Sequence, residues 1–113
     1  MHEMSLAESV VQIAEETARS HGGSRVSVVL LEVGRLAGVE IEALRFCFDA
    51  ASRESLAAGA RLVIEQPDGQ AWCMPCGGTV TLSSLADPCP RCGSHHLQVT
   101  GGNELKVREV EIH

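Results

Sequence analysis

Two C-x-x-C pairs, Cys73-Met74-Pro75-Cys76 and Cys89-Pro90-Arg91-Cys92, stand twelve residues apart, and each is followed by glycine, Gly77-Gly78 and Gly93. No other feature limits the fold of this chain so strongly. A turn of this form presents two sulfurs to one ion. The glycine behind it lets the backbone fold so that amides point at those sulfurs. A tetrahedral zinc ion takes four such ligands at ~2.3 Å. The intervening loop, Thr79 to Leu82 included, is long enough for a small hairpin that brings the second pair around. The expectation is a structural zinc ion held by Cys73, Cys76, Cys89 and Cys92. A closed four-thiolate site leaves no open coordination position, so this zinc is not expected to be catalytic. It would supply folding energy to a stretch with too few apolar residues to fold unaided. A redox dithiol is the rival reading, but that chemistry places a single pair at a helix start. Here two pairs match each other and neither opens a helix.

The 113 residues of the chain leave room for one core, or for a small core plus a metal-stapled module. Ser5-x-x-Glu8 has the form of a capping box, which predicts a helix start there and leaves residues 1–4 as a short arm. Leu6, Val10, Ile13, Ala14 and Thr17 recur at helical spacing, and Gly22-Gly23 stops the helix. Arg25 to Val33 reads as a strand apolar on both faces. Ile41, Leu44, Phe48 and Ala51 mark a second helix, with Glu40 and Glu42 at its positive end and Cys47 as a buried lone thiol. Ala60 to Glu65 alternates as a strand, ended by the turn Pro67-Asp68-Gly69. Glu104 to Ile112 is strand-like, with a slip in apolar phase that suggests a bulge near Arg108-Glu109. The predicted class is therefore α+β: two helices packed on a three-stranded sheet, with a small four-cysteine zinc-ribbon module inserted before the last strand. The expected domains are a discontinuous α+β domain, 1–67 and 103–113, and a zinc-binding domain, 68–102.

Charge narrows the function. A formal charge of −6 argues against a polyanion as partner, because nucleic-acid binders line one face with Lys and Arg. Between Gln70 and Gln98 the only cation is Arg91, and the only aromatic is Trp72, expected to pack at the base of the ribbon. Stacking surface is scarce throughout, with no Tyr, one Trp and two Phe. No run of ~18 apolar residues exists to span a membrane. The first residues lack a signal-peptide pattern, so a cytoplasmic protein is expected. Five cysteines in that compartment point to metal or redox chemistry rather than disulfides. No nucleophile–base pair, phosphate loop or open metal site is visible, so the chain does not read as an enzyme.

The segments "MHEMSL", "VLLEVGRLAGVE" and "AAGARLVIEQP", the cysteine insert and "CPRCGSHHLQVTGGNELKVREVEI" together resemble the HypA/HybF family of nickel metallochaperones, which help mature NiFe-hydrogenases. The likeness covers essentially the whole chain; "AAGA" departs mildly from the family's acidic "EGA". It implies a nickel-binding domain whose site contains His2, beside Glu3, and a separate zinc domain using the four cysteines. It also implies two partners, a nickel-handling maturation GTPase and the hydrogenase large subunit. Some relatives also serve urease maturation.

The N-terminus can be read chemically beside that likeness. Histidine at position 2 is too bulky for removal of the initiator methionine. The terminal amine, the backbone amide, the His2 imidazole and the Glu3 amide can then approach a square plane around one ion. Square-planar nitrogen coordination suits Ni(II) and Cu(II) and suits tetrahedral Zn(II) poorly. Glu3 has three readings: orienting the imidazole, docking a partner, or favouring the helix N-terminus. His95-His96 offer a spare ligand pair or a solvated one; His21 and His113 read as bystanders. Two other functions compete, a zinc-ribbon adaptor that only bridges proteins and a C-x-x-C oxidoreductase.

Overall fold

The computed structural model describes residues 2–113. Their order is α1 (Glu3–Ser20), β1 (Val26–Val33), α2 (Ile41–Ser52), β2 (Arg61–Glu65), β3 (Gly69–Cys73), β4 (Gly78–Leu82), β5 (Leu97–Gly101) and β6 (Leu105–Ile112). The strands form two three-stranded sheets, β2-β1-β6 and β4-β3-β5. The expected α+β class, with two helices and a four-cysteine insert before the last strand, is the one observed. The insert holds more than a hairpin, because β5 adds a third strand to it. The chain divides into two compact units, one running to Leu31 and joined by Val39–Ile64 and Lys106–His113, the other formed by Glu32–Gly38 and Glu65–Leu105.

In the first unit α1 begins two residues before the capping box. His2 is the N-cap, in extended conformation at φ −87° and ψ 108°, and its carbonyl accepts the first helical bond from Leu6 N at 3.2 Å. Ser5 and Glu8 therefore lie inside the helix and cap nothing, and residues 2–4 form no arm. Glu3 in the first turn places a carboxylate at the positive end of the helix, which favours this earlier start. At the other end Gly22 takes φ +72°, Gly22 N donates to Arg19 O at 3.1 Å, and Gly23 N donates to Ala18 O at 2.8 Å. This crossed pair is the Schellman closure that the two glycines predict.

The buried stripe of α1 is Ala7, Val10, Val11, Ala14 and Ala18, rotated from the predicted one. Three alanines let the helix approach its neighbours closely, and Ile13 is left 45% exposed. The core continues through Leu44 and Phe48 of α2, Val26, Val29 and Leu31 of β1, Ala57, and Leu62 of β2. Val28 and Leu30 are only half-buried, so β1 is fully covered on one face. Cys47 is also half-buried rather than buried. On β6 the successive residues Arg108 and Glu109 are both exposed, where the apolar phase was expected to slip.

The second unit has its own core of Leu36, Ala71, Cys73, Val80, Leu82 and Cys89, with Leu97 and Val99 packed against it. Two metal-capable thiols are thus also core residues. Antiparallel β3 pairs with β4 from Gly69↔Leu82 to Cys73↔Gly78, and with β5 on its other side with a register shift between Gln70 and Ala71. Trp72 alternates outward, 40% exposed, between Thr79 and Gln98 on the flanking strands; it does not pack at the base of the ribbon. Among the described residues no helix is long and apolar enough to cross a membrane.

Candidate metal centre

The first C-x-x-C pair forms the turn between β3 and β4, and the second precedes β5. The two turns are built alike. Gly77 N donates to Cys73 O at 2.9 Å with Gly77 at φ +64°, and Gly93 N donates to Cys89 O at 2.8 Å with Gly93 at φ +76°. A β-carbon on either glycine would meet nothing within 4 Å, so the left-handed backbone, not space, sets the requirement. Amides turn toward sulfur as expected. Arg91 N approaches Cys89 Sγ at 3.4 Å, and the N–H groups of Cys76 and Cys92 donate to Cys73 and Cys89.

These turns bring all four sulfurs within 4.8 Å of one another. Cys73 and Cys92 are 3.6 Å apart and Cys76 and Cys89 3.9 Å apart. Bonds of ~2.3 Å at tetrahedral angles require sulfurs ~3.8 Å apart, so the donor set fits a tetrahedral thiolate-bound ion. Two independent dithiols would have no reason to converge in this way. Cys73 and Cys89 are buried, and Cys76 and Cys92 exposed.

Electrostatics show what charge the cluster favours. The thiol of Cys92, followed by that of Cys73, pushes Cys76 up to about 12. At Cys73 the amide of Cys76 is the largest influence and lowers the value, but burial and the thiols of Cys89 and Cys92 outweigh it, leaving the group raised. Cys89 is lowered to about 6, chiefly because the Cys92 N–H donates to its sulfur. Crowded sulfurs resist becoming thiolates together unless a cation compensates them. A divalent ion supplies that charge.

No histidine belongs to this four-sulfur group. His95 and His96 are exposed beside it; Met74 N donates to the carbonyl of His96 at 3.0 Å, which engages its backbone alone. His21 Nδ1 meets Thr17 O at 2.9 Å at the end of α1, and His113 Nε2 meets Ser27 Oγ at 2.9 Å.

The other expected ligands, His2 and Glu3, open α1. His2 is exposed and its side chain does not cap the helix. Glu3 is half-buried, and its Oε2 accepts the backbone N–H of Glu40 at 3.3 Å. Glu40 is the N-cap of α2 and accepts from Glu42 N at 3.4 Å. Sequence reasoning gave Glu40 only a place near a helix start and had no signal for its tie to Glu3. The terminal amine, expected to complete a nitrogen plane, belongs to Met1 and lies outside the described residues.

Comparison with known proteins is consistent with this construction. Residues 1–112 match the family model "Hydrogenase/urease nickel incorporation, metallochaperone, hypA". The chain is 54% identical over 112 residues to the hydrogenase maturation factor HypA of Dechloromonas aromatica (strain RCB), and 53% identical to that of Azotobacter vinelandii. Both alignments cover 99% of each chain. The solution structure of the Ni metallochaperone HypA from Helicobacter pylori has a TM-score of 0.70. That match covers 99% of this chain and 97% of the other at 24% identity, a likeness of fold alone. The chain therefore belongs to the HypA family, nickel-incorporation metallochaperones of hydrogenase and urease, and carries a four-cysteine metal-binding cluster.

Proposed function

We propose that this chain carries Ni(II) at its N-terminus and delivers it for the maturation of NiFe-hydrogenase, while zinc at Cys73, Cys76, Cys89 and Cys92 holds the second unit together. The nickel site uses His2 and nitrogen donors of the adjoining backbone, with Glu3 beside them. Zinc serves structure only: four thiolates fill its coordination sphere, and their crowding is relieved by its charge. Nickel therefore belongs to the unit built from α1, α2 and the β2-β1-β6 sheet, and zinc to the other. Transfer proceeds by ligand exchange with a nickel-handling GTPase and the hydrogenase large subunit, in the cytoplasm, without turnover. The family description extends the same chemistry to urease.

One observation carries the nickel assignment: His2 is an exposed N-cap with its imidazole uncommitted to the helix. The position also favours release. The N-terminal end of a helix is its positive end, where a bound cation is disfavoured by about 0.3–1 kcal/mol. Glu3 offsets part of that, so the site is suited to holding an ion that must leave. Copper(II) would bind nitrogen donors more strongly than nickel, so selectivity rests on availability and partners. Nickel titration of His2→Ala tests the assignment: nickel binding falls while zinc content stays at one ion per chain. Nickel bound as well by the variant as by the parent would remove the site.

A further inference from the structure

β1 leads into residues 34–38, a turn whose backbone is fixed at four points. Gly34 N donates to Glu104 O at 2.8 Å, Arg35 N to Pro67 O at 3.0 Å, Leu36 N to Gly102 O at 2.7 Å and Ala37 N to Gly34 O at 3.0 Å. Gly34 lies so close to Gly102 that a β-carbon would clash with the Gly102 carbonyl oxygen. Arg35 thus rises from an anchored segment. Its Nε donates to Asp68 Oδ1 at 3.0 Å, which sets the plane of the guanidinium. That contact uses one edge of the fork. Among the described residues the Nη groups have no partner.

Arg35 borders a cavity of about 180 Å3 lined also by Leu36, Gly38 and Ser83 to Leu85. Leu36 is buried core, 4% exposed, and Leu85 is 64% exposed. The facing loop is also held in place. Asp87 Oδ2 accepts the amides of Ser83 and Ser84 at 3.2 and 3.1 Å, and Ser84 Oγ accepts from Ala86 N at 3.2 Å. The Ser83 hydroxyl is left without a partner among the described residues. Most surface arginines sample water freely. This one is oriented at backbone and Nε, and it borders a small concave space with a hydroxyl and an apolar wall.

We propose that this cavity binds a carboxylate, taken by the free edge of Arg35, with the Ser83 hydroxyl as second donor and Leu36 and Leu85 around its carbon stem. A guanidinium fork matches two coplanar oxygens. Phosphate fits less well. Arg35 is the only cation of the lining, Asp68 already shares its charge, and the chain carries −6. A dianion would be undercompensated, whereas a monoanion with a short apolar stem is matched. The inference does not depend on the nickel assignment.

The test is an NMR titration of isotope-labelled, zinc-replete full chain with sodium propionate at constant ionic strength, with phosphate and chloride as parallel arms. The Arg35 Nε–H and the Ser83 to Leu85 amides are expected to shift saturably with propionate, with Kd on the order of millimolar for so small a ligand. Phosphate is expected about tenfold weaker, and chloride non-saturating. Arg35→Gln abolishes saturation, and Ser83→Ala, which leaves the Arg35–Asp68 pair intact, weakens it several-fold. A fourth arm uses N-acetylglutamate α-amide: binding alongside propionate assigns a polypeptide side chain, and binding of propionate alone assigns a free small acid. Non-saturating propionate shifts, phosphate bound as tightly, or saturation surviving Arg35→Gln would overturn the proposal.

Discussion

The Glu3 carboxylate accepts the backbone N–H of Glu40 at 3.3 Å and so ties the first residue of α1 to the N-cap of α2, 37 positions away. The proposed nickel site is therefore anchored, since the residue following His2 is pinned to a second helix. Losing the acceptor hands this exposed helix-start amide to water and costs about 1 kcal/mol, the net worth of such a bond. Glu3→Ala is expected to lower Tm accordingly in thermal unfolding, whereas Glu3→Gln keeps an amide oxygen to accept the bond and stays near the parent. Nickel affinity discriminates further. If Glu3→Gln is stable yet binds nickel as poorly as Glu3→Ala, the carboxylate itself contacts the ion; if it binds like the parent, Glu3 acts by positioning His2.

The knuckle glycines carry an internal control. Gly77 and Gly93 sit at positive φ, where a side chain costs about 1–2 kcal/mol, while Gly78 does not. Gly77→Ala and Gly93→Ala should each lose zinc to a chelator at lower concentration than the parent, and Gly78→Ala should match the parent. Equal retention by all three variants would show that the left-handed turns do not support the site.

Zinc uptake should be proton-linked. Cys73 is raised and Cys76 stands at about 12, so at neutral pH both are protonated in the metal-free unit and must lose protons to bind. Cys89, lowered to about 6, is already largely a thiolate and contributes little above that pH. Protons compete with zinc, so apparent affinity rises with pH. The slope is about tenfold per unit for each proton released, at least about a hundredfold between pH 7 and 8 from Cys73 and Cys76 together. Competition titrations at the two pH values measure it; a pH-independent affinity would contradict the cluster's protonation pattern.

Metal removal should act on one unit first. Cys73 and Cys89 belong to the core that includes Ala71, Val80 and Leu82. Chelation is expected to unfold the β4-β3-β5 sheet while the helical circular-dichroism signal of α1 and α2 persists. Simultaneous loss of both signals would show that zinc supports the whole chain.

The parts legible in the sequence are those fixed by neighbours along the chain. Gly22-Gly23 closes α1 because a Schellman turn is a matter of six residues, and the two knuckles are legible for the same reason. The α+β class followed from periodicity. What escaped depends on distance. β3 and β5 are five-residue strands whose partners are brought together by the knuckles, so no local alternation announces a sheet. The stripe of α1 was misplaced because Ala7 and Ala18 are buried while Ile13 is exposed, which close packing of helices decides and hydropathy does not. Ser5-x-x-Glu8 misled because a capping pattern can lie inside a helix whose true N-cap, His2, makes no side-chain bond. The Glu3–Glu40 tie is invisible without the fold.

The most direct measurement is a Ni(II) titration of the untagged, zinc-replete protein, followed by calorimetry and by the visible spectrum of the nickel. One nickel per chain should bind with a square-planar signature and leave the zinc in place. An extension before Met1, which converts the terminal amine to an amide, should weaken it. A zinc-replete sample that takes up no nickel, or takes it up only by displacing zinc from the four thiolates, would contradict the separation of the two metals.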